Sequence, residues 1–411
     1  MKKFISDVPV KGIMHLFLVR GSIYLFPFIT LPIITHSLGV SQFGVLSVFL
    51  AAQQYLIMLV EYGFTLTGSR DIARGKDNND KIVTEIMVCR ALISAGCGLI
   101  IFSVYFFKGF NAYSDCFIIL FITVMSAIFN QTHYFIGKEK TGFIVISSAI
   151  TRVISILFVI FFVKSKDDLI IAMAAYSLNV ALPNILSSVY LLCGDGFFNK
   201  KSISFAGIVT RFKSGFDIFI SNVFTNIYSS LTLIYLSNAK GAAETGYYSS
   251  ADKLKAAAQG VLSPIAQAFF PRISKNSGWE FFKIWKKSSL ILISFAIILV
   301  AVLITFSKQV YNIFLGSQFI NGINAYYLLI FSIISISFGI AFAQNLYLVS
   351  GKTKLLRKIY FTVSVLHLIH MPILIHYFGA TGAAMSVLIT ESFASLLMFW
   401  FRKTCYTWSE N

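Results

Sequence analysis

The sequence predicts an all-α polytopic membrane protein with twelve transmembrane helices in two pseudo-symmetric six-helix halves. Three observations predict this fold class: the composition, the length of the recurring apolar stretches, and the loop-by-loop alternation of positive charge. Of the 411 residues, 57% are hydrophobic and only 12% are charged. An average soluble domain is about 45–50% apolar and about 25% charged. This composition therefore favours a chain that is solvated mainly by lipid.

The apolar stretches recur between short basic loops, and each is close to the roughly 20 residues that cross the hydrocarbon core. Lys2 and Lys3 precede the first stretch, as they would in a signal peptide. That stretch runs to about residue 35 without an A-x-A cleavage site, so we expect a retained helix. The predicted spans cover residues 13–35, 43–64, 82–106, 116–136, 143–163, 168–193, 216–238, 245–270, 287–306, 324–349, 356–377 and 380–401.

The loop charges alternate in the way that this span count requires. With the N-terminus inside, the inside segments carry 24 Lys and Arg residues, with Arg211 and Lys213 among them, and the outside segments carry five. Cytoplasmic loops of membrane proteins concentrate Lys and Arg. The sequence thus predicts that both termini are cytoplasmic. The same rule explains the net charge of +17 without a nucleic-acid partner.

The two halves of the chain share a glycine motif. HSLGVSQFGVLS (36–47) follows the first span and SNAKGAAETGYYSS (237–250) follows the seventh. Gly39 and Gly44 match Gly241 and Gly246 at the same spacing. Two-fold repeats are common in transporters, which bind their substrate between the repeats. We predict an N-terminal half at 1–195, a cytoplasmic linker at 196–215 and a C-terminal half at 216–411.

When the cations within the first three residues of a span are counted with the loops, five cations fall inside predicted spans, and they are the candidate substrate-binding residues. Each opposes insertion at a helix centre by about 2.5–3.5 kcal/mol. Such groups should face a protein interior or a wet cavity, where Arg and Lys bind phosphate. Ion pairing or extension to the membrane surface is the alternative for each, and Arg90, about nine residues into its span, could reach the cytoplasmic headgroups. The five are Arg20, Arg90, Arg152, Lys253 and Lys255.

Four acidic residues lie within or beside the same spans and are candidates for ion pairing or for coupling to an ion gradient. They are Glu61, Asp217, Asp252 and Glu391. Asp252 and Lys255 are three residues apart on one helix, which predicts a pair. Glu61 could reach Arg90 or Arg20, whereas Glu391 could pair with any of the cations or carry a proton.

Polar side chains add to the evidence for a hydrated interior. On the eighth span, Ser249, Asp252, Lys255 and Gln259 share one helical face. A single polar face is more often a contact between helices. Several such faces together with buried cations favour a cavity.

The sequence lacks the motifs of the common catalytic and cofactor sites. It has no G-x-x-x-x-G-K-[ST] phosphate loop and no Cys/His spacing typical of zinc. We therefore expect a transporter with no cofactor and no metal, rather than an enzyme.

Two segments resemble a known family. EYGFTLTGSRDIARGK (61–76) and GAAETGYYSSADKLKAAAQGVLSPIAQAFFPRISK (241–275) are similar to the bacterial O-antigen flippases of the polysaccharide-transporter family. These belong to the multidrug/oligosaccharidyl-lipid/polysaccharide exporter superfamily. The resemblance implies a V-shaped bundle that works by alternating access. It also implies a cargo of undecaprenyl-pyrophosphate-linked O-units, moved to the periplasmic leaflet, and partners in O-antigen assembly such as a polymerase and a chain-length regulator.

Two other functions stay open at this point. A cation-coupled multidrug exporter would have the same fold, although a cationic lumen suits it less well. A membrane glycan polymerase or ligase would normally carry a larger loop outside the membrane than any in this sequence.

Overall fold

The computed structural model describes residues 10–75, 78–108, 113–194, 204–276 and 278–409, with side chains from Phe26 onward except at 108, 194, 221, 224–229, 271 and 406–409. The described residues form helices joined by short turns, with no β-strand among them. The chain divides into two compact units. Unit 1 combines the chain up to Val45 with the chain from Tyr235 onward, and unit 2 is Leu46–Ile234. This grouping does not test the predicted six-helix halves, which describe an internal repeat and stay a prediction.

Thirteen α-helices are labelled in chain order over the described residues. They are α1 Val10–Glu61, α2 Phe64–Ala73, α3 Asn79–Lys108, α4 Ser114–Ser126, α5 Thr132–Gly137, α6 Thr141–Phe162, α7 Leu169–Gly194, α8 Phe205–Gly260, α9 Leu262–Ser274, α10 Gly278–Thr305, α11 Ser307–Phe314, α12 Ile323–Phe342 and α13 Thr353–Phe401. Short 3₁₀ segments lie at Ala127–Phe129, Ser317–Gly322 and Arg402–Ser409.

Eight stretches of the described chain are long and apolar enough to cross a membrane, so the protein is a multi-pass membrane protein. Two of them are interrupted by a glycine in a non-helical conformation, Gly39 in α1 and Gly379 in α13. The chain turns sharply at Gly379. Gly382 and Leu374 lie on opposite sides of it along the chain, yet a Cβ atom on Gly382 would meet the carbonyl oxygen of Leu374. α8 is interrupted in the same way at Gly241. Because each interrupted helix supplies two arms, the structure is consistent with twelve spans.

Unit 2 is built on the packing of α6 and α4 against α7, and of α2 against α5. Its core contains Phe64, Ile86 and Phe135, which are fully buried. α8 begins at Phe205, so its first turns lie within the predicted linker, whose residues 196–203 lie outside the described ones. Many large side chains elsewhere on these helices are exposed, including Phe107 and Phe161. In a multi-pass protein such apolar surface faces lipid.

The predicted fourth span is a broken helix. Its backbone becomes extended at Asn130, between α4 with its 3₁₀ extension and α5. Backbone groups freed inside a membrane need partners, and α7 supplies them. Ser188 Oγ donates to the carbonyl oxygen of Phe129 at 2.7 Å, and Ser187 Oγ accepts from the Gln131 N–H at 3.1 Å.

Unit 1 is centred on α12, which packs against α13 and α10. The Trp285 indole of α10 donates to the carbonyl oxygen of Ala341 at 3.0 Å, where α12 approaches its end. α12 then passes into a π-helical turn at Ala343–Leu348. Such turns are rare and occur frequently at functional sites.

The two glycine motifs contact each other reciprocally inside unit 1. Gly39 and Gly241 have nearly the same conformation, with φ/ψ of 71°/178° and 84°/−179°. A Cβ atom on Gly44 would meet the carbonyl oxygen of Ala242. A Cβ atom on Gly246 would meet the carbonyl oxygen of Val40. The contact thus has the self-complementary form of a two-fold interface. It requires glycine because backbone lies directly against backbone.

Replacing Gly246 with alanine is expected to lower stability, since the added methyl group forces the two backbones apart. Overpacking of this kind costs about 1–3 kcal/mol. Thermal unfolding of the purified protein in detergent measures the effect. Gly96→Ala in α3 is the matched control, because its Cβ atom would meet nothing within 4 Å. Equal melting temperatures for Gly246→Ala and Gly96→Ala would show that the close approach is not required.

Candidate functional site

A polar cavity of about 380 Å³ lies within unit 1, where α8 ends and α9 begins. Gln259 and Ser263 line it from this side, and Gln344 lines it from the π-helical turn after α12. Each glutamine amide can donate two hydrogen bonds and accept through its oxygen. Ser263 Oγ accepts from the Gln267 side chain at 3.0 Å. The cavity therefore offers uncharged hydrogen-bonding groups within a membrane protein, which suits a hydroxyl-rich ligand.

An apolar cavity of about 440 Å³ lies next to it, and Gly260 lines both. Its walls come from the first arm of α1, from α8, α10 and α11, and from α12. Lys253 is the one charged residue among those that line it. The structure thus places a polar and an apolar cavity side by side in unit 1.

Arg90, one of the five predicted cations, is an ion-paired residue of unit 2. Its side chain is fully buried, so it does not extend to the membrane surface. Nη2 lies 2.9 Å from Glu61 Oε2, and Nη1 donates to the carbonyl oxygen of Asn130 at the helix break. Glu61 also accepts from the Thr65 N–H at 3.0 Å. Arg90 therefore helps to hold the broken helix in place.

The pair predicted from its i, i+3 spacing is present, because Lys255 Nζ lies 2.6 Å from Asp252 Oδ1. Arg152 is half-buried on α6, beside the buried Thr151. Asp217 is exposed on α8, and Glu391 is half-buried on the second arm of α13. Arg20 lies on α1, and its side chain is outside the described residues. Of the predicted site residues, the structure brings together Arg90 with Glu61, and Lys255 with Asp252.

Sequence reasoning missed a buried charge network in unit 2. Arg211, which was counted among the loop cations, donates from Nη1 to Asp71 Oδ2 at 2.8 Å and from Nε to Glu85 Oε2 at 3.0 Å. The Glu85 side chain is fully buried, and those of Arg211 and Asp71 are 6% and 9% exposed. Asp71 also contacts the exposed Arg70 at 3.2 Å. Gln344 was missed too, and its signal was an adjacent Gln-Asn pair within an apolar span.

Solved structures with the same fold are transporters. An inward-facing multidrug resistance MATE family transporter of the MOP superfamily matches with a TM-score of 0.70 at 14% identity, covering 94% of this chain and 96% of that one. The lipid II flippase MurJ, in an inward closed conformation, matches with a TM-score of 0.72 at 14% identity, covering 94% and 87%. At this identity the likeness establishes the fold alone.

Two curated relatives extend over almost the whole chain, and both carry the name "Putative O-antigen transporter". The one from Shigella dysenteriae is 30% identical over 393 residues, which is 94% of this chain and 98% of the relative. The one from Escherichia coli (strain K12) is 28% identical over 410 residues, which is 95% of this chain and 96% of the relative. Both are named as transporters, in agreement with the expectation that this chain is not an enzyme.

A family described as polysaccharide biosynthesis proteins matches residues 10–277, which is more than half of the chain. The matched region includes α1 to α9, and with them the Arg211 network, Lys253 and the α8 side of the polar cavity. The chain is a multi-pass transporter that belongs to this family of polysaccharide biosynthesis proteins.

Proposed function

We propose that the protein is a flippase for O-antigen repeat units linked to undecaprenyl pyrophosphate. It would move them from the cytoplasmic to the periplasmic leaflet of a bacterial inner membrane by alternating access. The observation that carries this proposal is the similarity to two O-antigen transporters over 94% and 95% of the chain. The alternating loop charges support an orientation with both termini in the cytoplasm.

The chemistry of the described residues agrees with such a cargo. The polyprenyl tail can remain in lipid while the pyrophosphate and the sugars cross inside the protein. Embedded cations suit the pyrophosphate, because Arg and Lys bind phosphate oxygens by charge-assisted hydrogen bonds. The uncharged cavity at Gln259 and Gln344 suits sugar hydroxyls, which lose free energy on burial unless they are hydrogen-bonded.

Deletion of the gene in its own bacterium, with plasmid complementation, tests the proposal. We expect loss of long O-polysaccharide on gels of lipopolysaccharide, and retention of lipid-linked single units at the cytoplasmic face. Single units attached to lipopolysaccharide would instead indicate a polymerase. Unchanged lipopolysaccharide with altered sensitivity to cationic drugs would indicate a multidrug exporter, the function named for one solved structure of the same fold.

Replacing Gln259 or Gln344 with leucine is expected to reduce O-polysaccharide display by about twofold to tenfold. Each change removes hydrogen bonds to the cargo, and one hydrogen bond contributes about 0.5–1.5 kcal/mol. Complementation of the deletion strain, normalised to protein level in the membrane, measures the effect. Asn276→Leu is the control, because Asn276 lies outside the cavity and donates to the carbonyl oxygen of Arg272. Wild-type display by a variant that carries both leucine replacements would show that the cargo does not use this cavity.

A further inference from the structure

Two helices are interrupted within unit 2, and a short helix follows each interruption. α1 ends at Glu61 and α2 begins at Phe64, whereas the helix formed by α4 and its 3₁₀ extension breaks at Asn130, before α5. The first break is strained, because Tyr62 has a φ of 47°. A positive φ is a genuine outlier for a bulky side chain, and strain of this kind clusters at switch regions.

One side chain is bonded at both breaks. Arg90 Nη2 lies 2.9 Å from Glu61 Oε2 at the first break, and Arg90 Nη1 donates to the carbonyl oxygen of Asn130 at the second. Glu61 also accepts from the Thr65 N–H at 3.0 Å, which fixes its carboxylate to the first turn of α2. The nitrogens of a guanidinium group have a fixed planar geometry. A displacement at one break therefore changes the hydrogen bonds that Arg90 makes at the other.

The short helices beyond the breaks, α2 and α5, are in close contact. A Cβ atom on Gly68 would lie 2.9 Å from the His133 ring, and a Cβ atom on Gly137 would lie 2.8 Å from the Ile72 side chain. The second contact is four residues further along both helices than the first, so α2 and α5 run side by side in the same direction. Small residues at such contacts let helix backbones approach closely. The two short helices therefore pack as one body.

The Arg211 network fixes this pair of helices to its surroundings. Arg211 of α8 donates to Asp71 of α2 at 2.8 Å and to Glu85 of α3 at 3.0 Å. α3 also carries Arg90 and is a single helix over Asn79–Lys108. α2 and α5 thus form a base, and the parts that the two breaks allow to tilt are the second arm of α1 and α4.

Four buried polar atoms beside the second break have no hydrogen-bond partner among the residues that the structure describes. They are Arg90 Nε, Gln131 Oε1 and both ring nitrogens of His133. Buried polar groups without partners are rare in folded proteins, and each needs a specific reason. A second arrangement of the two breaks, in which these groups gain partners and Tyr62 relaxes, is such a reason.

We infer that the two breaks act as one hinge, and that Arg90 is the positioning residue that couples them. When the second arm of α1 tilts over the base, α4 tilts with it. This coupling goes beyond the proposed function and does not depend on the cargo. Its use in transport rests on the proposed flippase, because alternating access requires helices that take two positions.

Hydrogen–deuterium exchange of the purified protein in detergent tests the coupling. Ser188→Ala perturbs the second break directly, because it removes the hydroxyl group that donates to the carbonyl oxygen of Phe129 at 2.7 Å. We expect exchange about twofold to tenfold faster at residues 126–134, as the loss of one hydrogen bond implies. Through Arg90, exchange at residues 58–66 should become faster as well.

Two further variants test the direction of the coupling and the residue that carries it. Glu61→Gln perturbs the first break and should speed exchange at the second, since coupling between two sites is reciprocal. In Arg90→Lys the effect of Ser188→Ala should stay at the second break, because an ammonium group lacks the planar fork. Ser147→Ala is the matched control, a buried serine of α6 that donates within its own helix, and it should change neither break.

Faster exchange at the second break alone in Ser188→Ala would overturn the inference. Faster exchange throughout α6 in the same variant would overturn it too, because that would indicate a general loss of stability. Propagation that survives Arg90→Lys would overturn the role of Arg90. Independent breaks in a protein whose deletion abolishes O-polysaccharide would contradict only the hinge. Coupled breaks in a protein whose deletion leaves O-polysaccharide intact would contradict only the flippase.

Discussion

Replacing Arg211 with methionine is expected to remove most of the folded protein from the membrane. The change leaves Glu85 fully buried without the guanidinium group from which it accepts a hydrogen bond at 3.0 Å. Among the residues that the structure describes, Asp71 then keeps only its contact with Arg70. Breaking a buried ion pair by removing one partner costs about 3–5 kcal/mol. Whole-protein stabilities are about 5–15 kcal/mol. Membrane protein level and the melting temperature in detergent are the measurements.

Lys213→Met is the matched control, because Lys213 is exposed two residues further along the same helix. Neutralising the carboxyl groups as well, with Asp71→Asn and Glu85→Gln beside Arg211→Met, should restore much of the lost stability, since no charge then remains unpaired. If Arg211→Met kept its protein level and melting temperature but lost transport, the network would have a transport role rather than a structural one.

Replacing Arg152 or Arg20 with alanine is expected to abolish O-polysaccharide display while protein level in the membrane stays near normal. Both arginines are predicted to bind the pyrophosphate of the cargo, and hydrogen bonds to charged groups contribute about 1.5–3 kcal/mol each. This corresponds to a loss of roughly tenfold or more in transport. Lysine at either position should restore part of the display, because it keeps the charge but lacks the forked hydrogen bonds of arginine.

Arg74→Ala is the control for these two variants, since Arg74 is exposed at the end of α2. Protein level is measured by immunoblotting of membranes, and display by gels of lipopolysaccharide from the complemented deletion strain. A protein level that falls in step with display would assign the arginine to the fold instead of the cargo.

The parts of this fold that depend on neighbours in sequence were predictable. Helix-length apolar stretches and loop charge give the membrane spans, because insertion depends on local hydropathy. The Asp252–Lys255 pair follows from i, i+3 spacing on one helix. The paired glycine motifs could be identified because a backbone conformation that requires glycine places that residue at Gly39 and Gly241.

The parts that depend on distant partners were not predictable. Nothing in the local sequence distinguishes Arg211 from a cation in a loop. Its partners Asp71 and Glu85 lie on other helices, and only the fold brings them to it. The break at Asn130 has no proline or glycine beside it, and two serines from α7 stabilise it. Lys253 and Lys255 look alike in the sequence, yet one is paired and the other lines an apolar cavity. Charges can be counted from a sequence, whereas the partners that other helices bring to them depend on the fold.

The reciprocal glycine contact has a consequence for biosynthesis. Gly44 packs against Ala242, and Gly246 against Val40, so each partner is about 200 residues from the other along the chain. At about 5–20 residues per second, a ribosome needs on the order of 10–40 s to synthesise that interval. For that time the part of α1 that follows Gly39 lacks the surface that it contacts in the finished protein. A truncated product that ends before Gly241 never acquires that surface, and the glycine face of its first helix stays open to other partners.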